Sequence, residues 1–245
     1  MCGIVGYTGI ENSLPILVEG LRMLEYRGYD SAGVAFFDGK AIKTVKSKGK
    51  LTNLENRLED CGTSASRCGI GHTRWATHGA PSDINSHPHS TDLVSLVHNG
   101  IIENHAEIAN QLLLAGYSFV SETDTERAAK LVDKLYRETH DPVKTLYKAA
   151  ELLRGSYAFG VMFADVEGKI FCMRKDSPLI VARNEGGSFI ASDIPAILPY
   201  TKEYFRLEEG VVAELSRGDI KIFGKDGQLD APEFDPLRIL RELWE

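Results

Sequence analysis

A cysteine stands directly behind the initiator methionine, in Met1-Cys2-Gly3-Ile4-Val5-Gly6. A side chain this small in second place favours removal of the methionine. The product would carry a thiol and a free α-amine on one residue, a nucleophile with its own base. With ordinary pKa values near ~8 for the amine and ~8.5 for the thiol, a proton passes readily between them at neutral pH. A small residue opening a buried strand would read the same way in isolation. The rest of a site must therefore come from elsewhere in the chain.

Four further segments combine glycine with charged and hydrogen-bonding side chains. Glu25-Tyr26-Arg27-Gly28-Tyr29-Asp30-Ser31-Ala32-Gly33 reads either as a helix exit stopped by Gly28 or as part of a site. In His72-Thr73-Arg74-Trp75-Ala76-Thr77-His78-Gly79, alternate side chains of a strand share a face. Arg74 there offers a planar fork suited to a carboxylate. His98-Asn99-Gly100-Ile101-Ile102-Glu103-Asn104 contains Asn-Gly, the strongest hairpin signal. The same pair supplies two adjacent donors, the Asn99 amide and the Gly100 N–H, as an oxyanion hole requires. Ser121-Glu122-Thr123-Asp124-Thr125-Glu126 reads as a capping box, with Asp124 a candidate partner for a ligand ammonium group. Together these parts suit acyl transfer from an amide-bearing amino acid, for which L-glutamine is the obvious candidate.

His72, His78, His87, His89, His98 and His105 cluster in sequence. None forms an HExxH pattern and no cysteine pair lies nearby, so neither a metal nor another cofactor is expected.

The elements that must position these groups follow from periodicity. Leu14, Leu17, Val18, Leu21 and Leu24 predict a helix over 12–25. Strands are expected at 32–37, 41–46, 68–76 and 93–98, with a helix over 51–58 between the second and third. Three helices follow, over 106–114, 124–138 and 143–153. Short strands then fill 157–164, 169–174, 179–183, 188–191, 204–207, 211–215 and 219–223. Blocks of strands and helices without strict alternation favour a layered α+β domain, two largely antiparallel sheets with helices outside them. The segment 74–90, with Gly79, Pro81 and Pro88, reads as a loop able to close over a ligand.

At 245 residues, 43% hydrophobic and 26% charged, the chain has the makings of a sizeable core. A net charge of −7 without a long basic run argues against nucleic acid. No apolar run reaches membrane length and the N-terminus does not read as a signal peptide. Four cysteines (Cys2, Cys61, Cys68, Cys172) without paired spacing fit a cytoplasmic chain with reduced thiols.

The five motifs, with Leu-Arg-Gly-Ser-Tyr-Ala at 153–158 and Phe-Ile-Ala-Ser-Asp at 189–193, resemble the class II, N-terminal-nucleophile (Ntn) glutamine amidotransferases. Within that class they are similar to the glutaminase domain of glutamine–fructose-6-phosphate aminotransferase (isomerising). The resemblance implies a four-layer αββα sandwich of the Ntn-hydrolase type. It also implies that Cys2 attacks the glutamine carboxamide, with Asn99 and Gly100 as the oxyanion hole. Arg74 would hold the substrate carboxylate beside Thr77 and His78, and Asp124 its ammonium. Trp75 would gate ammonia, and Arg27 and His87 would support the site. The expected domain spans residues 1–224, with 225–245 a tail or linker. The isomerase region such enzymes carry is absent, leaving an isomerase domain or subunit as the further partner. An Ntn amidohydrolase of other specificity and a non-catalytic partner-binding subunit are the alternatives.

Overall fold

The computed structural model describes residues 2–61, 65–75 and 79–230. Its strands are β1 (Gly3–Gly9), β2 (Ser31–Phe37), β3 (Ile42–Lys48), β4 (Cys68–Arg74), β5 (His89–Ser90), β6 (Val94–Ile102) and β7 (Gly155–Phe163). They continue with β8 (Ile170–Lys175), β9 (Ile180–Asn184), β10 (Gly187–Ala191), β11 (Tyr204–Arg206), β12 (Val212–Ser216), β13 (Asp219–Gly224) and β14 (Gly227–Leu229). The helices are α1 (Ser13–Met23), α2 (Leu51–Asp60), α3 (His105–Leu114), α4 (Asp124–Thr139) and α5 (Pro142–Leu152).

Helix starts follow local chemistry. The Asn12 side chain accepts from Leu14 N (3.3 Å) at the head of α1. Thr123 accepts from Glu126 N (3.2 Å) at α4. Asp141, followed by Pro142, accepts from Lys144 N (3.0 Å) at α5. Each cap satisfies an N–H that the first turn leaves open. Only half of the expected capping box forms at α4: the Glu126 carboxylate accepts from Val120 N and Ser121 N rather than from Thr123 N, which donates to Ser121 Oγ.

Two seven-stranded sheets form, in the orders β11-β9-β10-β1-β4-β2-β3 and β14-β13-β12-β8-β7-β6-β5. Every ladder is antiparallel. Alternation along the strands sorts the apolar side chains into three layers. Val5, Tyr7, Val34 and Phe36 meet α1 and α2 through Leu17, Leu21, Leu51 and Leu54. Leu96, Phe159, Val161 and Phe163 meet α3, α4 and α5 through Leu112, Val132, Tyr136 and Leu146. Between the sheets lie Ile4, Ile70, Val97, Ala158, Ile170 and Ile190. The molecule is thus an α+β, four-layer αββα sandwich.

Three details depart from the sequence expectation. β6 does not stop at His98 but runs through Asn99 and Gly100 to Ile102. The two-residue strand β5 pairs with β6. Beyond residue 224 the chain turns and β14 pairs with β13, which carries the sheet to Leu229.

Candidate active site

The N-terminal end of the chain and several strand ends converge at one end of the sandwich. Gly3 of β1 pairs with Thr73 of β4, and Arg74, the last residue of β4, pairs with Ser31 of β2. Cys2 therefore lies against Trp75, just past the end of β4. The Trp75 N–H donates to Cys2 Sγ at 3.3 Å, and Sγ lies 3.6 Å from Trp75 O. Burial pushes the thiol pKa up; the Trp75 N–H and the Arg74 charge pull it down, while Asp124 adds to the rise. The half-buried thiol, its pKa raised on balance, needs a base close by to ionise.

The Cys2 carbonyl oxygen accepts from Asn99 Nδ2 at 3.0 Å and from Arg27 Nε at 3.3 Å. Arg27, itself buried, donates from Nη1 to Asp193 Oδ2 at 2.5 Å, and the Tyr26 hydroxyl donates to the same oxygen at 2.6 Å. Burial works against ionisation of Asp193. The Tyr26 hydroxyl, the Ile194 N–H and the Arg27 charge outweigh it and hold the carboxyl below its ordinary value.

Glycine does different work here from that expected. Gly28 follows a single 3₁₀ turn (Glu25–Arg27), but its φ of 178° is extended backbone, not the left-handed C-cap. A Cβ at Gly28 would lie 2.7 Å from the carbonyl carbon of Arg74. Gly28 is thus required for close approach to the strand end that carries Arg74 and Trp75. Asn99-Gly100 is not a hairpin turn, because both residues stay in the ladder, opposite Ala158 and Tyr157. Gly100 has φ 121°, and a Cβ there would lie 2.2 Å from Ser156 O, so no other residue fits.

Arg74 is buried and donates from Nη2 to Gly79 O at 3.2 Å. Burial draws its pKa down, against the charges of Cys2 and Asp124. Asp124 is 7% exposed at the start of α4, and its Oδ2 accepts from Ile102 N of β6 at 2.8 Å. Cys2, Arg74, Asn99 and Asp124 are therefore brought to one place. Gly100 is exposed beside Asn99. Thr77 and His78 lie outside the described residues. Trp75 is 45% exposed and meets Tyr29 edge-on, with ring centroids 5.6 Å apart.

His87 belongs to a buried group drawn from the histidines that cluster in sequence. His72, His87, His89 and His98 are all buried. The His87 ring lies 4.1 Å from that of His72, 5.3 Å from His89 and 6.5 Å from His98. Burial lowers all four pKa values. His98 Nδ1 sits 2.9 Å from Thr125 Oγ1, and His89 Nε2 sits 2.9 Å from Thr123 Oγ1. Among the described residues no trio of His, Cys, Asp or Glu is arranged to hold a metal ion. His72, spaced two residues before Arg74 on one strand face, is the member that spacing could have flagged. Asp193 closes the Phe-Ile-Ala-Ser-Asp motif, but nothing in the sequence pairs it with Arg27, and the Trp75 N–H is backbone.

Residues 79–90, expected as part of a closing loop, make several side-chain contacts. Asn85 Nδ2 donates to Ala80 O and to Glu122 Oε2, Ser86 Oγ donates to Ser82 O, and Asp83 pairs with Arg57. A cavity of about 810 Å³ lies at the other end of β1, lined by Tyr7, Glu11, Phe189 and Tyr200, and contains none of the converging residues.

The family described as "Glutamine amidotransferase domain" matches residues 72–199. The glutamine–fructose-6-phosphate aminotransferase [isomerizing] of Clostridium tetani is 49% identical over 93% of this chain and 37% of its own length. That of Thermus thermophilus is 44% identical over the whole chain and 42% of its own length. The chain thus spans about two fifths of these curated relatives. Among solved structures, the glutamine phosphoribosylpyrophosphate amidotransferase of B. subtilis, complexed with ADP and GMP, matches with TM-score 0.75 and 26% identity, covering 96% of this chain and 49% of that one. A glutamine aminotransferase class-II domain protein from Silicibacter pomeroyi shares the fold, with TM-score 0.60 and 18% identity, covering 96% of this chain and 100% of that one.

Proposed function

The chain belongs to the glutamine amidotransferase domain family, and on that premise we propose that it is the glutaminase part of a glutamine–fructose-6-phosphate aminotransferase. The observation that carries the reading is Cys2 itself. Its sulfur receives the Trp75 N–H, and its backbone carbonyl receives the Asn99 amide.

With Met1 removed, the Cys2 amine takes the thiol proton and the sulfur attacks the side-chain carboxamide carbon of L-glutamine. The carbonyl π electrons move to oxygen, where Asn99 Nδ2 and the Gly100 N–H receive the negative charge. Collapse of this tetrahedral species breaks the C–N bond, and the Cys2 ammonium returns its proton to the departing nitrogen as ammonia. A γ-glutamyl thioester remains. Water, deprotonated by the same amine, hydrolyses it to L-glutamate and free thiol.

Arg74 holds the substrate α-carboxylate and Asp124 the α-ammonium, so the zwitterionic head fixes the distance to the sulfur. Arg27, locked by Asp193, supports the Cys2 backbone. Trp75, exposed beside the sulfur, stands where ammonia would leave, and His87 packs behind the site. Thr77 and His78, by the resemblance, would assist Arg74 in holding the substrate. Residues 2–229 form the glutaminase unit. In a whole enzyme of the relatives' length, an isomerase part would accept the ammonia on fructose 6-phosphate to give glucosamine 6-phosphate. The thiol chemistry needs Cys2 reduced, which suits a cytoplasmic location; among the described residues no helix is long and apolar enough to cross a membrane.

The test is glutamate release from L-glutamine by the purified chain, without sugar phosphate, beside a Cys2→Ala control. Release that disappears in the control, with the thermal midpoint kept, supports the reading. A rate unchanged by Cys2→Ala, or a better amide than glutamine in a substrate panel, would end it.

A further inference from the structure

The reaction above uses Asn99 but leaves open what orients it. An asparagine amide is nearly symmetric in shape and opposite in chemistry at its two ends. Turned one way it donates to a developing oxyanion, and turned the other way it presents a second oxygen to it. Something must decide which.

His72 lies two residues before Arg74 on β4 and is 0% exposed. Its Nε2 is 3.0 Å from His98 O and 3.1 Å from Asn99 Oδ1. A backbone carbonyl only accepts, so Nε2 carries the hydrogen and shares it between the two oxygens. The Asn99 atom facing it is then the oxygen, because an NH₂ group there would meet the ring N–H donor to donor. That choice turns Nδ2 toward Cys2. The other ring nitrogen, Nδ1, is buried with no hydrogen-bond partner among the described residues, as befits the bare nitrogen of this tautomer. Burial pushes the ring's pKa down to about 3 despite both hydrogen bonds, so the neutral form is the one present at neutral pH.

Resting on the glutaminase reading, we propose that His72 is a positioning residue: its Nε2–H locks the Asn99 amide with the donor end toward Cys2 before any substrate arrives. Such pre-organisation matters because donors fixed in advance need not reorient as charge develops. His72 touches neither substrate nor sulfur. Its effect on the reaction passes through Asn99 alone.

The test is a double-mutant cycle in kcat and KM for glutamine hydrolysis. His72→Leu keeps the volume and removes the donor. It should lower kcat by about 10- to 100-fold, within the cost of losing one oxyanion donor, and change KM less than about twofold. His72→Gln, which retains an N–H donor, should recover most of the loss. In an Asn99→Ala background His72→Leu should cost less than about twofold, because nothing remains to orient. Affinity for the γ-aldehyde of L-glutamate, whose thiohemiacetal oxygen takes the oxyanion's place, should fall with kcat while affinity for L-glutamate stays. Multiplicative losses in the cycle, or a parallel loss of glutamate affinity, would overturn the proposal. If His72→Leu does not fold, the His72→Gln arm of the same cycle and the tautomer decide. Long-range ¹H–¹⁵N correlation on the unsubstituted chain should show Nε2 protonated and Nδ1 bare from pH 6 to 8; the opposite tautomer sinks the idea. If the unsubstituted chain releases no glutamate, the glutaminase reading fails, and the tautomer spectrum still rules on the His72–Asn99 geometry.

Discussion

Ile70 and His72 project from one face of β4, and Val97 and Asn99 from one face of β6. Ile70 and Val97 lie in the apolar layer between the sheets. His72 and Asn99, a single pleat of about 7 Å farther along, are joined by a buried hydrogen bond. The apolar pair is stabilised by exclusion of water, which has no direction. The polar pair must match donor to acceptor, so it contributes orientation and gains little stability. The border between the part of the core that holds the fold and the part that does chemistry is one pleat wide.

Substitutions on either side of that border should separate the two roles. The largest effect expected is from Asn99→Ala, with kcat for glutamine hydrolysis falling about 10²- to 10³-fold, ~3–4 kcal/mol. Steady-state kinetics and a melting curve check it, and a loss confined to KM would break the comparison. Ile70→Ala should do the reverse. Urea unfolding should show about 2–5 kcal/mol of lost stability, while kcat of the folded fraction stays near that of the parent.

Acid should attack the polar end selectively. The four buried histidines have native pKa values below the ordinary 6.5. Their contribution is therefore fully present above pH 6.5 and is lost as pH falls toward the native values, because the unfolded chain takes up protons first. For His72, pushed down to about 3, the slope is at most ~1.4 kcal/mol per pH unit, so up to about 2 kcal/mol is lost between pH 6.5 and 5; the other three act in the same direction. His72→Gln should flatten the urea midpoint against pH over this range, and Ile70→Val should leave its slope unchanged. The smallest effect is at the substrate end. Arg74→Lys should raise KM about tenfold, ~1.4 kcal/mol, with less change in kcat, because an ammonium cannot grip a carboxylate through a planar fork.

The helices were readable in the sequence because their apolar spacing and caps are local; α2, α4 and α5 begin within a residue of expectation. β6 was read short because Asn99-Gly100 is a turn signal wherever the ladder does not override it, and here Tyr157 keeps Gly100 in register. β5 and β14 are too short to show alternation. At the site, Cys2, Arg74, Asn99 and Asp124 were readable because each pairs an unusual side chain with glycine or a cap. The histidine group was readable only as a cluster in sequence, not as a packed, buried set. Its members come from β4, β6 and the segment between them, and burial, which sets their charge, leaves no trace in a list of residue types. The Arg27–Asp193 pair was hidden by its separation along the chain.

The bond from Ile102 N to Asp124 Oδ2 ties the head of α4 to the strand that carries Asn99 and Gly100. On the proposed reading, the mark for one end of the ligand and the mark for the other are thus fastened to a single strand of backbone. The strand fixes the oxyanion donors covalently, and a hydrogen bond fastens Asp124 to it, so the two marks keep a set spacing. The molecule measures length before it performs any chemistry.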